Sequence, residues 1–225
     1  MNGENIVSAM ELSAAAYRGV QPYTPGKCVA VDVYGHADVH FYLRRKEDVL
    51  SITFRGTDSL KDWKADFSFW KKTIAYGNHQ SRIRVHHGFY GLYTQLGVRD
   101  RIMSEIVPGV NRVLIAGHSL GAALAVLCAV DVQYNEPELD IETILFGCPR
   151  VGNKAFALSY NKRVDKTVRI ENGCDIITKV PPAIFGFRHV GAKLHVGPPR
   201  LPFIARAADH YPHRYYAGVL EKVVF

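Results

Sequence analysis

The chain has 225 residues, of which 48% are hydrophobic and 22% are charged. This length suffices for one domain with a full hydrophobic core, and the composition excludes an intrinsically disordered chain. The net charge of +7 favours anionic partners in general, but no RRM, KH, zinc-finger or helix-turn-helix signature accompanies it, so nucleic acid is not a predicted partner.

The first residues carry no predicted targeting segment. They lack the basic start and sustained apolar run of a secretory signal, and Glu4 stands among them, so a cytoplasmic location is favoured. No apolar run approaches the length of a transmembrane segment. The four cysteines form no CxxC pair and are too few for a disulfide framework, which predicts buried free thiols at Cys28, Cys128, Cys148 and Cys174.

Taken in chain order, apolar periodicity predicts alternating helices and strands. Helical spacing predicts helices at 5–17, 89–106, 120–134, 153–162 and 210–222, and alternating or continuous apolar runs predict strands at 28–35, 39–45, 49–56, 112–117, 142–147 and 167–172. A hairpin turn is expected at 35–38. The β-helix-β-helix order of the second half predicts an α/β fold with a mainly parallel sheet. Without linkers or repeats, residues 1–225 are expected to form a single domain.

The segment Gly117-His118-Ser119-Leu120-Gly121 matches the G-x-S-x-G pattern between a predicted buried strand and a predicted helix. That context is the one the pattern requires, because a sharp, strained turn exposes the serine oxygen at the carboxyl edge of the sheet. The helix start also brings the Leu120 N–H beside negative charge that develops during acyl transfer. Ser119 is therefore the predicted nucleophile.

Four sequence blocks together resemble the class 3, or fungal-type, lipase family of the α/β-hydrolase superfamily. GHSLGAALA (117–125) is similar to the family's GHSLGGALA, FRGTDSLKDWKAD (54–66) resembles its oxyanion and lid block, VHHGF (85–89) resembles V-H-x-G-F, and FGCPRVGNKAF (146–156) is close to its consensus. The resemblance implies an α/β-hydrolase fold, a mainly parallel central sheet with helices on both faces. It also implies a serine hydrolase that acts on acylglycerols or related lipids.

Asp175 is the predicted acid. In this fold the chain order is serine, carboxylate, histidine, with the carboxylate just after a strand. RIENGCDIITKVPP (169–182) places Asp175 there and resembles a family block through Arg169, Asn172, Asp175, Pro181 and Pro182, with Thr178 where proline is usual. Glu171 and Asp165 are the alternatives.

The base must follow Asp175 along the chain. The candidates are His189, His195, His210 and His213. AADHYPHRYYAGVL (207–220) resembles the family's closing D-H-x-x-x-x-Y segment, which favours His210 and matches Tyr215 to the tyrosine. His210 would take the proton of the nucleophile and return it to the leaving alcohol.

The resemblance implies that the backbone N–H of Thr57 joins that of Leu120 in the oxyanion hole. Residues 58–72 occupy the family's lid position. Their aromatic and aliphatic residues recur at helical spacing, at Leu60, Trp63, Phe67 and Trp70. An amphipathic helix there would cover the serine and meet a lipid surface, while an ordinary surface helix packed into the core fits the pattern equally well.

These expectations define an ester hydrolase that works through an acyl-enzyme without a metal or organic cofactor. His86-His87 is not predicted to bind metal, because adjacent histidines point in different directions and no third ligand is evident. A phospholipase A1 and an aryl-ester (feruloyl-type) esterase on the same scaffold remain alternatives, as does a catalytically silent lipid-binding module. The predicted partners are an ester or lipid substrate and, transiently, a lipid surface. The basic charge is equally compatible with no charged partner.

Overall fold

A computed structural model describes residues 3–17, 27–34, 38–56, 70–74, 81–199, 201 and 204–223. The helices are α1 (Gly3–Ala16), α2 (His87–Thr94), α3 (Val98–Ser104), α4 (Leu120–Asn135), α5 (Lys154–Arg163) and α6 (Pro212–Val223). The strands are β1 (Lys27–Val33), β2 (Val39–Lys46), β3 (Val49–Phe54), β4 (Lys71–Thr73), β5 (Arg84–His86), β6 (Arg112–His118), β7 (Asp140–Phe146), β8 (Gly152–Asn153), β9 (Thr167–Asn172), β10 (Phe187–Arg188) and β11 (Ala192–Val196).

Seven strands form a central sheet in the order β1-β2-β3-β6-β7-β9-β11. The first three pair antiparallel, and every later pairing is parallel. This confirms the predicted α/β class with a mainly parallel sheet. Because β6 and β7 pair in parallel, their carboxyl ends lie at the same edge of the sheet, where Ser119 follows β6.

Helices cover both faces of the sheet, and each face has its own core. On one face α1 and α6 bury Met10, Tyr215 and Val219 against Ile144. On the other face α2 to α5 pack over residues such as Ile115 and Leu145. Adjacent residues of β6 and β7 thus point to opposite cores, as strand geometry requires. Buried side chains surround most of α4, which explains why it is apolar on all sides.

The predicted helix at 89–106 is interrupted. It forms two helices, α2 and α3, separated at Gly97, whose φ of 93° lies in the left-handed region. A helix cannot continue through that conformation, and glycine adopts it without a steric cost. The periodic apolar residues persist across the break because both helices pack on the same core.

Two features of the architecture were not predicted from sequence. Strand β11 extends the main sheet, and a second, four-stranded sheet has the order β10-β8-β5-β4.

Cys128, Cys148 and Cys174 are free and buried, as predicted, and burial raises the pKa of the Cys148 thiol to about 12. The side chain of Cys28 and most of the predicted turn at 35–38 lie outside the described residues. Within the described ranges no helix is long and apolar enough to cross a bilayer.

Candidate active site

Ser119 occupies the sharp turn between β6 and α4, with φ 60° and ψ −125°. It is one of two non-glycine residues with positive φ in the described part of the chain. Its N–H donates to the Phe146 carbonyl at 2.9 Å, which ties the turn to β7. A Cβ on Gly117 would lie 2.4 Å from the Gly121 carbonyl oxygen, and one on Gly121 would lie 2.3 Å from that of Phe54. The two glycines are therefore required for the turn to sit between strand and helix.

His210 links Ser119 to Asp175. Its Nε2 lies 2.7 Å from Ser119 Oγ, and its Nδ1 lies 2.7 Å from Asp175 Oδ2. The histidine ends a short 3-10 turn, Ala208–His210, just before α6, while Asp175 follows β9. All three side chains are buried, Ser119 to 2% exposure. The fold thus brings together three predicted site residues that are far apart in sequence.

Both carboxylate oxygens of Asp175 accept further hydrogen bonds. Oδ1 accepts from the Ile177 N–H at 2.8 Å, and Oδ2 accepts from the Tyr215 hydroxyl at 2.5 Å. Burial, and then the nearby Asp175 charge, raise the pKa of Tyr215, so the phenol stays protonated and donates. Thr178, at the position where the family usually has proline, donates from its hydroxyl to the Asp175 carbonyl at 2.9 Å. The carboxylate is therefore held in one orientation toward the imidazole.

Gly147 leaves room for this pairing. Its φ is 57°, and a Cβ there would lie 2.9 Å from His210 Cε1 and 3.1 Å from Asp175 Oδ2. In the sequence this glycine is visible only as part of the block 146–156. The structure gives it a specific task, because any side chain at 147 would push the histidine and the carboxylate apart.

Behind the base lies a second, buried histidine that sequence reasoning missed. His118 Nε2 lies 2.8 Å from the His210 carbonyl oxygen, and His118 Nδ1 lies 2.8 Å from the Tyr17 hydroxyl. Burial, and next the proximity of His210, lower the pKa of His118 well below its ordinary value, so the ring is neutral. A carbonyl only accepts, so Nε2 carries the hydrogen and Nδ1 accepts from the phenol. The available signal was the position of His118 inside G-x-S-x-G.

The other candidate bases make different contacts. His189 Nε2 lies 2.8 Å from the Thr178 carbonyl oxygen, and His195 Nε2 lies 3.0 Å from that of Pro198. His213 is exposed and stacks on Tyr211. None of these contacts involves Ser119, which leaves His210 as the histidine that the structure brings to the serine.

The alternative acids lie elsewhere as well. Glu171 is buried and forms an ion pair with Arg169. Asp165 is exposed in the loop before β9. His86 acts as a helix cap, since its Nδ1 accepts from the Phe89 N–H at 3.3 Å and its ring stacks on Phe89. Across the described ranges, no group of three or more His, Cys, Asp or Glu side chains is arranged to hold a metal ion.

Part of the predicted site stays a prediction. Thr57 and the lid residues Leu60, Trp63 and Phe67 lie outside the described residues. Trp70 is 76% exposed and directly precedes β4, so the end of the predicted lid helix is extended chain. The chain is extended here because the next residue, Lys71, pairs with His86 in an antiparallel pair of strands. Leu120 is the first residue of α4. The first backbone N–H groups of a helix have no acceptor within the helix, so the Leu120 N–H is not used by the helix itself.

A sequence model of the family described as Lipase (class 3) matches residues 51–185. The chain belongs to this family. Within the class 3 lipases it is 34% identical over 153 residues to a lipase of Rhizomucor miehei, an alignment that covers 64% of this chain and 41% of the relative. It is 30% identical over 148 residues to the secreted mono- and diacylglycerol lipase 1 of Fusarium solani, covering 64% of this chain and 42% of the relative. The chain thus spans less than half the length of these relatives.

A plant member is a chloroplastic phospholipase A(1) of Arabidopsis thaliana, 34% identical over 153 residues, covering 60% of this chain and 34% of the relative. Among solved structures, the Rhizomucor miehei triacylglyceride lipase superposes with a TM-score of 0.76 at 28% identity, covering 86% of this chain and 79% of that chain. A triacylglycerol lipase whose catalytic centre is a serine protease triad gives a TM-score of 0.70 at 29% identity, covering 86% and 80%. The class 3 lipase chain has the α/β-hydrolase fold.

The predicted cytoplasmic location is wrong. The Fusarium solani relative is a secreted lipase, and so is a mono- and diacylglycerol lipase of Malassezia globosa that is 33% identical over 153 residues. A signal segment is removed and takes no part in the fold, so the composition of the first residues is a poor guide to location.

Proposed function

We propose that this protein hydrolyses carboxylic esters, acting on acylglycerols or related lipids through an acyl-enzyme on Ser119. The observation that carries the proposal is the continuous pair of 2.7 Å contacts from Ser119 Oγ through the His210 ring to Asp175 Oδ2. A nucleophile, a base within hydrogen-bond reach and a group that orients the base are the parts that acyl transfer requires. We further propose that residues 1–225 act as a single hydrolase domain.

In the first half of the reaction, Ser119 Oγ forms a bond to the ester carbonyl carbon while its proton moves to His210 Nε2. Asp175 accepts a hydrogen bond from Nδ1–H and stabilises the imidazolium that results. The tetrahedral intermediate then breaks its bond to the alkoxy oxygen. His210 returns the proton to that oxygen, the alcohol leaves, and the acyl group stays on Ser119.

In the second half, water replaces Ser119 as the nucleophile and the same two proton transfers take place. His210 Nε2 takes a proton from water as the water oxygen attacks the acyl carbon, and the collapse of the second intermediate returns the proton to Ser119 Oγ. The products are a carboxylic acid and the original enzyme. No redox step and no external group are needed for atoms and charges to balance.

We propose that the oxyanion of each intermediate is stabilised by the backbone N–H of Leu120 and by that of Thr57. The position of Leu120 at the start of α4 supports its part, because helix N-terminal donors and the helix dipole both favour negative charge. The part of Thr57 rests on the family resemblance of the segment 54–66. We retain the lid function of Leu60, Trp63, Phe67 and Trp70 as a proposal on the same basis.

Labelling with a fluorophosphonate probe tests the nucleophile. The wild-type protein should form one adduct, and Ser119→Ala should form none. Ser159→Ala, a serine on α5 away from the site, serves as the matched control and should label like wild type. An adduct on Ser119→Ala would show that another residue is the nucleophile. No adduct on the wild type would refute the hydrolase assignment and favour a silent lipid-binding module.

A substrate panel decides the ester class. The rate of hydrolysis would be compared, at equal enzyme concentration, for three substrates: a triacylglycerol emulsion, phosphatidylcholine labelled at the sn-1 chain, and methyl ferulate. We expect the acylglycerol to give the highest rate, in line with the fungal relatives. The plant relative supports phospholipase A1 as the second candidate, and a faster release of the sn-1 acyl chain would establish it.

A further inference from the structure

The charge of the chain is unevenly distributed. Three segments, 67–99, 143–164 and 176–208, contain no Asp or Glu, yet they carry five, four and five Lys or Arg residues. All 21 acidic residues therefore lie in the rest of the chain, where they outnumber the remaining Lys and Arg. The net charge of +7 conceals a strongly basic part and an acidic part.

The fold gathers the acid-free segments into one place. Strands β4 and β5 come from 67–99, β8 from 143–164 and β10 from 176–208, and these four strands form the small antiparallel sheet. Lys71, Arg84 and Arg188 belong to this sheet. The strand register places Lys71 and Arg84 on one side of this sheet and Arg188 on the other side, on the edge strand β10. The acid-free segments thus bring cations to both sides of the small sheet, next to the turn that precedes β10.

Two exposed apolar residues stand beside these cations. Ile184 is 88% exposed and Phe185 is 49% exposed, in a short 3-10 turn, Ala183–Phe185. Lys71 Nζ donates to the Phe185 carbonyl at 2.5 Å, and Arg188 Nη1 donates to the Ala183 carbonyl at 2.9 Å. We call these five residues, Lys71, Arg84, Ile184, Phe185 and Arg188, the cationic face.

Lys71 lies close to another cation of this face, Arg84, and to an apolar ring. Lys71 Nζ lies 4.3 Å from the Phe187 ring centroid. Partial burial, and then the charge of Arg84, lower the pKa of Lys71. None of the ion pairs among the described residues involves Lys71, Arg84 or Arg188, whereas Arg99, Arg112 and Lys166 each pair with an aspartate. The surface is therefore complementary to an anion that comes from outside.

Short, hydrogen-bonded connections tie the cationic face to the catalytic end of the sheet. The loop from Asp175 leads directly to Ile184, and the loop from Gly147 leads to β8. Arg150 locks the two loops together, since its N–H donates to the Val180 carbonyl at 2.8 Å and its Nη1 to the Pro181 carbonyl at 2.9 Å. The cationic face is thus continuous with the two loops that begin at Asp175 and Gly147.

We propose that the cationic face docks the protein onto an anionic lipid surface, with Ile184 and Phe185 entering the interfacial layer and Lys71, Arg84 and Arg188 contacting the headgroups. The choice of a lipid partner builds on the proposed function. Exposed apolar side chains within a basic rim match the chemistry of such a surface, where apolar burial and attraction to headgroups act together. A nucleic acid would use the cations, but no nucleic-acid-binding signature accompanies them in the sequence.

Vesicle co-sedimentation tests this proposal with ether-linked lipids, which contain no carboxylic ester and therefore separate binding from catalysis. Vesicles of dialkyl phosphatidylcholine alone and with dialkyl phosphatidylglycerol are compared. We expect at least tenfold stronger partitioning onto the anionic vesicles, and a loss of about fivefold for each of Arg84→Gln and Arg188→Gln. The double variant Ile184→Ser/Phe185→Ser should lose about tenfold.

Matched controls lie at the opposite end of the sheet. Lys46→Gln removes an exposed cation at the end of β2, and Val107→Ser removes an exposed apolar side chain ahead of β6. Both should bind vesicles like wild type. All variants should hydrolyse soluble p-nitrophenyl acetate at the wild-type rate, because none belongs to the site of Ser119.

Three outcomes would overturn the docking proposal: equal partitioning onto neutral and anionic vesicles, equal losses in the control variants, or unchanged vesicle binding by the isoleucine and phenylalanine variant together with full competition by heparin. The last would identify a general polyanion site. Failure to bind by a protein that still reacts with fluorophosphonate refutes docking alone, while binding without labelling refutes only the hydrolase assignment.

Discussion

Two buried histidines lie side by side at the carboxyl end of the parallel strands, with ring centroids 4.6 Å apart, and they differ in their hydrogen-bond partners. His210 has a carboxylate behind it and a serine in front. His118 has a phenol on one nitrogen and a carbonyl on the other. A carboxylate stabilises an imidazolium, whereas burial, and next the proximity of His210, favour the neutral ring of His118. A buried histidine without a carboxylate beside it therefore stays neutral and serves a structural role. A buried histidine next to a carboxylate can accept a proton.

The largest effect should separate the two rings directly. We expect His210→Gln to lower kcat/KM for p-nitrophenyl butyrate by about 10⁵-fold or more, since base and nucleophile act as a unit. His118→Gln should lower it by only about tenfold, through displacement of the His210 backbone. Circular dichroism and denaturant unfolding serve as fold controls. Equal losses in two folded variants would remove the distinction.

The next largest effect concerns the carboxylate. Asp175→Asn keeps the shape but removes the charge that stabilises the imidazolium, so we expect kcat/KM to fall by about 10⁴-fold. Glu171→Gln, which changes a buried acid that pairs with Arg169 instead, is the comparison variant. A larger loss of kcat/KM in a folded Glu171→Gln protein than in Asp175→Asn would show that the acid has been misassigned.

Tyr17→Phe tests the hydrogen bond that the Tyr17 hydroxyl donates to His118 Nδ1. It leaves the buried His118 Nδ1 without its donor, so we expect the free energy of unfolding to fall by about 1–3 kcal/mol. The rate kcat should fall by less than about tenfold, because His210 keeps both of its own contacts. Tyr216→Phe, which breaks a partly exposed hydrogen bond to Glu11, should cost less than about 1 kcal/mol. Similar stability losses in the two variants would argue against a special role for the Tyr17–His118 contact.

The smallest effect is the pH dependence of stability. The pKa of folded His118 is well below its ordinary value, so below pH of about 6.5 the unfolded state binds a proton that the folded state does not. The free energy of unfolding should then fall with decreasing pH, with a contribution from this residue of up to about 1.4 kcal/mol per pH unit. Guanidinium unfolding between pH 7.5 and 5.5 measures it. The slope should be shallower in His118→Gln, and an unchanged slope would contradict a neutral ring.

The sequence was most informative where one local segment carries the whole signal. G-x-S-x-G identified the turn at Ser119 because glycine placement, strand and helix all lie within a few residues. The buried strand β6 and the helix α4 were predicted for the same reason. Asp175 and His210 required the chain order of the fold in addition, and the structure brings both to Ser119.

Contacts between distant segments were not predictable in this way. Tyr17 and His118 are 101 residues apart, and nothing in either segment indicates the other. The small sheet assembles strands of two and three residues, which are too short for alternation to be recognised. Strand β11 does alternate apolar and polar residues, but over only five positions between two glycines, Gly191 and Gly197, and it was not recognised as a strand. The break at Gly97 was hidden because both helices face one core, so their apolar spacing reads as a single helix.

The backbone of Ser119 has one more implication. A serine held at φ 60° and ψ −125° pays a steric penalty that a residue without a Cβ would escape, on the order of 1–2 kcal/mol. Replacing the reactive residue by glycine should therefore yield a protein that melts at a higher temperature than its parent while being inert toward esters. The serine at this turn therefore costs folding stability, and that cost is what the proposed nucleophile requires.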